Sequence, residues 1–211
     1  MRDEFRKDLH HLTWDDVYAR QVQRADLVGA WLDALRLGPG QRVVDVGSGP
    51  GFVSLHAARR VGPEGLVYAI DRSAEALAYL ERLQREQGIT QIHRVVADAA
   101  TLNTETLQVD AALVTMVLHH ADDPRGVLRT VARVVVPGGR VVIAEFHPDG
   151  PCQVGPPCEH RLAPDLVLDW CCAEGFRRLG EWRQTPEQYM LLFDLSASSI
   201  TGRNSVAPAT P

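Results

Sequence analysis

The chain has 211 residues, 45% hydrophobic and 23% charged, a balance that suits a soluble globular protein with a sizeable core, in one domain with at most a small appendage. Its formal net charge of -5 at pH 7 provides no global field for nucleic acid or an anionic membrane. The opening "MRDEFRKDLHHLTWDDV" is too charged for a signal peptide, and no apolar run approaches the roughly 18 residues of a membrane span, so a cytoplasmic protein is expected.

Residues 13 to 37 read as one helix: Thr13 can cap it, Asp16 supplies the acidic third position, and Val17, Leu27, Ala30, Trp31 and Leu35 form an apolar stripe. "LGPGQ" stops it, and "RVVDV" follows as a short buried strand. "GFVSLHAARRV" is then a helix, "LVYAI" a second strand, and "SAEALAYLERLQREQ" an amphipathic helix capped by Ser73 and closed by Gly88. "IHRVVAD" is a third strand, "VDAALVTMVL" a fourth, "DPRGVLRTVARVV" a helix entered through Asp123 and Pro124, and "RVVIAEF" a fifth strand after the turn "PGG". Near-continuous Val, Ile, Leu and Ala implies strands buried on both faces. Their alternation with helices implies an α/β fold, an open, doubly wound, mostly parallel sheet covered on both sides.

From 147 to 163, "HPDGPCQVGPPCEHRLA" is a loop without periodicity. A helix over "PDLVLDWCCAEG" and two strands, "FRRLGEWR" and "YMLLFDL", complete the fold, and the polar tail from 196 is expected to be disordered. The expected division is a helical segment over 1–38 covering the ligand site, a ligand-binding domain over 39–195 and a tail over 196–211. The four cysteines, Cys152, Cys158, Cys171 and Cys172, do not follow a secreted disulfide framework, so reduced thiols are expected. They lack the paired short spacings of a zinc site, and no metal is expected.

"VVDVGSGPG" carries the functional signal. Gly47, Gly49 and Gly51 lie where the first strand turns into a helix, and glycine there permits positive φ and close backbone approach. In an open parallel sheet, ligands bind at this end of the strands. A dinucleotide fingerprint needs a glycine at the sixth position, which here is Phe52 or Ser54 according to register. Asp45 would also repel a pyrophosphate. Asp71, ending the second strand, suits the two hydroxyls of an adenosine ribose. These features describe an adenosine-bearing ligand with a cationic amino-acid end and no phosphate, which S-adenosylmethionine satisfies.

Over residues 14 to 195 the chain resembles the class I, seven-strand S-adenosylmethionine-dependent methyltransferases, and within them the small-molecule, ubiquinone/menaquinone-biosynthesis-like branch. "VVDVGSGPG", "VYAID", "VVADAATL", "VDAALVTMVLHHADDP" and "LRTVARVVVPGGRVVIAEF" match that family's motifs in order. The resemblance implies a three-layer Rossmann-like fold with strand order 3-2-1-4-5-7-6, strand 7 antiparallel. It also implies cofactor contacts from Asp45, Gly47, Ser48, Gly49, Gly51, Asp71, Arg72, Asp98, Ala99, Thr115, Met116 and His120. In particular, Asp45 would lie near the methionine amino group, Asp71 at the ribose and Asp98 at the adenine, with Thr115 beneath the methionine portion. For Asp98 a helix N-cap is the competing reading.

Where amino-group methylases carry Asn- or Asp-Pro-Pro-aromatic, this chain reads "TMVLHH", which disfavours nucleic-acid or glutamine amino groups and points to a small-molecule methyl acceptor. If the acceptor loses a proton, a base is useful. The candidates are His119, His120, Glu145 and His147, with His120 favoured and Glu145 weighed against a structural carboxylate paired with an arginine. Tyr18 is a candidate cover for the cofactor or an ordinary packing residue. The alternatives are a binding protein without catalysis and a methyltransferase of arsenite or thiol metabolites that uses the cysteines. A monomer and a homodimer are both open.

Overall fold

The valine-rich runs pair side by side to build the sheet. In the computed structural model, which describes residues 12–195, the strands are β1 (Arg42–Val46), β2 (Leu66–Asp71), β3 (Ile92–Val96), β4 (Val109–Thr115), β5 (Val135–Phe146), β6 (Phe176–Arg183) and β7 (Gln188–Leu195). The order is β3-β2-β1-β4-β5-β7-β6. The pairs β2–β3, β1–β2, β1–β4 and β4–β5 are parallel, whereas β7 runs antiparallel to β5 and β6. This is the order and strand sense expected. The expected tail falls outside the described residues.

Alternate residues of each inner strand enter two separate cores. Val43 and Leu113 face a cluster with Trp31, Leu55 and Leu80, whereas Val44 and Val114 face one with Leu128, Val131 and Val167. The period-2 geometry of a strand puts neighbours on opposite faces, so both must be apolar when helices cover both sides. Helices α1 (Trp14–Val22), α2 (Ala25–Ala34), α3 (Phe52–Val61), α4 (Ala74–Gln87), α5 (Pro124–Val134) and α6 (Pro164–Ala173) supply that cover.

Local chemistry sets several helix ends. Thr13 and Asp16 form a reciprocal capping box at α1, Ser73 caps α4 by accepting from the Ala76 N–H, and left-handed Gly88 closes it. Asp123 accepts from the Gly126 N–H ahead of Pro124 at α5.

The single helix expected over 13–37 is two. The chain bends between Val22 and Ala25, with Arg24 at φ -103° and ψ 14°. The halves cover different surfaces. α2 buries Val28, Trp31 and Leu32 in the core, and α1 lies over the glycine loop and α4, where Tyr79 donates to Asp15 at 2.7 Å. "PGG" also differs from expectation: it lies within β5, as an excursion where the pairing with β4 shifts register between Val109 and Ala111. The fourth strand ends at Thr115, because Met116 takes φ +55°.

Candidate active site

The turn from β1 into α3 uses left-handed backbone at Gly47 (φ +67°), Gly49 (φ +54°) and Gly51 (φ +89°). A side chain at Gly47 would run into Val117, and one at Gly51 into Leu80. Tight packing as well as conformation therefore demands glycine. The loop's N–H groups are engaged internally. Gly47 and Ser48 donate to the Ile70 carbonyl at 2.8 and 3.0 Å, Gly51 donates to the Ser48 carbonyl at 3.1 Å, and Gly49 donates to Asp71 Oδ2 at 2.8 Å. The Phe52 N–H donates to Gln21 Oε1 at 3.1 Å, and Gln21 Nε2 donates back to the Ser48 carbonyl at 3.1 Å. A phosphate cradle needs such N–H groups open toward the ligand. Those of residues 47–49, 51 and 52 already have protein acceptors, which independently disfavours a dinucleotide.

Asp71 is the hinge of this rim. Its Oδ1 accepts from the Ser73 N–H at 2.8 Å while Oδ2 holds Gly49. Burial raises its pKa, opposed by these two N–H groups. Asp45 lies below, 1% exposed, its Oδ2 accepting from Ser54 Oγ at 2.5 Å. Burial pushes its carboxyl up to about 7 despite that bond.

A cleft of about 1820 Å³ runs along the C-terminal ends of the strands and under the 151–159 loop, more room than the 300–1,000 Å³ typical of a single small-ligand pocket. It gathers Gly47, Gly49, Asp71, Arg72, Asp98, Ala99, Thr115, Met116, His119 and His120. Asp45, Ser48, Gly51 and Glu145 do not line it; they are buried beneath. The Ser48 hydroxyl is buried without a hydrogen-bond partner. Asp98 caps no helix: its Oδ1 accepts from the Ala100 N–H at 2.8 Å in a short turn.

At the other end of the cleft, Glu145 is fully buried at the end of β5. Its partner is a histidine, not the arginine considered from sequence: Oε2 lies 2.6 Å from His119 Nδ1, and Oε1 accepts from the Leu118 N–H at 2.7 Å. Burial alone would raise its pKa, but the His119 ring and the two hydrogen bonds outweigh it and hold the carboxylate ionised, below its usual range. His120 packs at a tilt against His119, with ring centres 4.2 Å apart and the planes 41° from parallel. His147 lies in a local turn, its Nδ1 accepting from the Asp149 N–H at 3.1 Å. Tyr18 packs edge-on against Phe52 and beside Tyr79, and does not line the cleft.

The wall over this end is assembled by Arg161, which reasoning from sequence missed. Its buried guanidinium donates to the carbonyls of Pro156, His147 and Val154 at 3.0, 3.1 and 2.6 Å and to Glu187 at 2.6 Å, over the ring of Phe146. Glu187 also accepts from the N–H groups of Cys152 and Gln153. Here the expectation of reduced thiols is corrected, because Cys152 and Cys158 are joined as a disulfide. Cys152 (φ +56°) and Gly155 (φ +78°) fold the loop back until the two Cα atoms stand 5.7 Å apart, within reach of a bridge. Both cysteines line the cleft, but bonded to each other they present no thiolate. Cys171 is buried and Cys172 exposed. Among the described residues no three His, Cys, Asp or Glu side chains cluster as metal ligands, and no helix is long and apolar enough to cross a membrane.

Residues 44–143 match the family described as a methyltransferase domain. The ubiquinone/menaquinone biosynthesis C-methyltransferase UbiE of Vibrio campbellii is 34% identical over 109 residues, 51% of this chain and 42% of that protein. An uncharacterized 37.1 kDa protein in transposon TN4556 of Streptomyces fradiae is 37% identical over 114 residues, 54% of this chain and 32% of that protein. The matches thus span less than half the length of these relatives. In fold, a SAM-dependent methyltransferase from Aquifex aeolicus superposes with a TM-score of 0.78 at 21% identity, covering 86% of this chain and 98% of that one. The family match over residues 44–143, the identity to the relatives and the sheet order together support a class I S-adenosylmethionine-dependent methyltransferase.

Proposed function

We propose that this chain transfers the methyl group of S-adenosylmethionine to a small-molecule acceptor bound beneath the 151–159 loop. The observation that carries the reading is Asp71, a carboxylate fixed at the rim of a glycine-lined cleft whose loop N–H groups leave no cradle for phosphate. The cleft fits the donor. Asp71 offers acceptors to ribose hydroxyls, Asp98 and Ala99 border the adenine end, Gly47 and Gly49 leave room for the amino-acid end, and Thr115 and Met116 form the floor. The orphaned Ser48 hydroxyl is a further polar group at this loop without a protein partner.

The donor, when bound, supplies a methyl carbon already activated by its sulphonium. The chain's own part is alignment, exclusion of water and removal of a proton. His119 is the proposed base. With Glu145 holding Nδ1–H, the lone pair falls on Nε2, which takes the proton leaving the acceptor. Glu145 is a positioning residue that stabilises the imidazolium so formed, and His120 packs against the ring.

The test is methyl-labelled donor incubated separately with a bacterial metabolite extract, with protein and with RNA. Label in the metabolite fraction supports the reading. His119→Ala should then lower kcat about 100-fold, at the low end for a lost general base, while affinity for S-adenosylhomocysteine stays within a few-fold. Label confined to protein or RNA would overturn the small-molecule assignment.

A further inference from the structure

The bond between Cys152 and Cys158 sits where chemistry from solution can reach it. Both cysteines are partly exposed and line the cleft, whereas Cys171 is buried. The ring that the bond closes stands at the His119 end of the cleft. A side chain at Gly155, inside the ring, would run into Phe146, and Phe146 packs edge-on against His119 with ring centres 5.7 Å apart. On the side leading into the ring, Pro151, Cys152 and Gln153 line the cleft as its wall.

The bond is poorly placed to hold the fold. Its cysteines are six positions apart, and a crosslink closing so short a loop removes little entropy from the unfolded chain. The far half of the ring is secured without it, because Arg161 donates to the Val154 and Pro156 carbonyls. The near half is held differently. Cys152 keeps φ +56°, a left-handed conformation unfavourable for a residue with a side chain. Besides the bond, its backbone anchor is Glu187, which accepts from the Cys152 N–H at 3.2 Å and the Gln153 N–H at 2.8 Å. Opening the bond therefore lets Cys152 leave that conformation and take residues 151–153 with it. The dithiol has an acceptor ready: the Gly150 carbonyl lies 3.4 Å from Cys152 Sγ and 3.8 Å from Cys158 Sγ.

We propose that Cys152 and Cys158 form a reversible thiol–disulfide site that sets how firmly the 151–153 wall closes over the acceptor; naming the acceptor there rests on the function proposed above. The co-reactant is a small-molecule thiol. Its thiolate attacks one sulfur, the Cys152–Cys158 bond breaks and a mixed disulfide forms. A second thiol displaces the first as a small-molecule disulfide. Two electrons enter the protein, and its two sulfurs each end with one proton. The small-molecule disulfide reverses the step. Oxidised, the wall is held and the acceptor binds; reduced, the wall loosens and acceptor binding weakens, while the glycine loop and Asp71 keep the donor.

The test equilibrates the whole chain in buffers running from reduced to oxidised glutathione, traps free thiols with iodoacetamide and counts them by mass spectrometry. Both forms should be populated within the series. A bond that stays closed throughout is a permanent staple and overturns the proposal. On reduction, hydrogen exchange at the Cys152 and Gln153 amides should accelerate at least tenfold, and affinity for S-adenosylhomocysteine should stay within twofold. Unchanged exchange would mean that Glu187 holds the wall unaided, and a matching loss of S-adenosylhomocysteine affinity would mean that the bond supports the whole cleft; either overturns it. With methyl-labelled donor and dilute metabolite extract, Cys152→Ser/Cys158→Ser should transfer at least fivefold less label than oxidised wild type, the gap closing as extract is raised. Equal transfer in dilute extract overturns the link to the acceptor. No metabolite label from oxidised wild type would instead strike the small-molecule reading, and the thiol and exchange results then decide the redox site by themselves.

Discussion

Gln21 offers a quantitative handle on the glycine loop. Its amide is a two-way clamp, Nε2 donating to the Ser48 carbonyl and Oε1 accepting from the Phe52 N–H, each at 3.1 Å. A half-buried hydrogen bond contributes about 1 kcal/mol net, so Gln21→Ala removes about 2 kcal/mol from the coupling between α1 and the loop. If the loop stays ordered without ligand, the loss falls on the fold. At about 2–4 °C per kcal/mol for a chain of this size, the melting temperature drops by about 4–8 °C. If instead the loop loosens and the ligand must reorder it, the same 2 kcal/mol appears as roughly 30-fold weaker donor binding. Differential scanning fluorimetry and calorimetric titration with S-adenosylhomocysteine divide the loss between the two. Gln21→Glu should be no better than Ala, since one carboxylate oxygen can still accept from Phe52 but the other faces the Ser48 carbonyl, acceptor against acceptor. A Gln21→Ala protein with unchanged melting temperature and affinity within twofold would refute the clamp.

Other substitutions separate local strain, burial and charge. Gly47→Ala should destabilise by more than the about 1–2 kcal/mol of left-handed strain, because the new methyl also meets Val117; Gly88→Ala, with φ +64° but open space around it, isolates the strain alone, and equal losses in urea unfolding would contradict the packing argument. Asp45, with a folded pKa of about 7 above its unfolded value, favours the protonated fold: that stability is complete below about pH 4 and lost as pH rises through about 7. Asp45→Asn should flatten the decline in melting temperature between pH 5 and 8, and parallel curves would refute the assignment. Arg161→Gln should cost about 3–5 kcal/mol in urea unfolding, as for a broken buried ion pair, because Glu187 loses its counter-charge and three loop carbonyls lose a donor; a loss below 1 kcal/mol would remove Arg161 as the organiser of the 147–161 loop.

Local patterns were readable and long-range pairings were not. Thr13, Ser73 and Asp123 announce their helices because a cap acts within three or four residues, and β1 to β5 announce themselves through short apolar runs bounded by turns. The glycines and Asp71 were legible because the loop that needs them is contiguous and the acid ends the neighbouring strand. The residues that complete the site meet across the fold. Gln21 reaches Ser48 over 27 positions, and both His119 with Glu145 and Arg161 with Glu187 span 26. No periodicity distinguishes His119 from His120; only the buried glutamate does. The bend at Arg24 carries no Gly or Pro to mark it, since α1 and α2 part to satisfy two different surfaces. The disulfide was hidden for a related reason: spacing alone does not reveal that the loop doubles back between Cys152 and Cys158.

The central claim is that the cleft between the glycine loop and Asp71 holds the methyl donor. A crystal structure of the chain grown with S-adenosylhomocysteine tests it most directly. The account predicts density for the ligand along this cleft, with the ribose hydroxyls within hydrogen-bond distance of the Asp71 carboxylate and the amino-acid end beside Gly47 and Gly49. Ligand density elsewhere, or a ribose out of reach of Asp71, would contradict it.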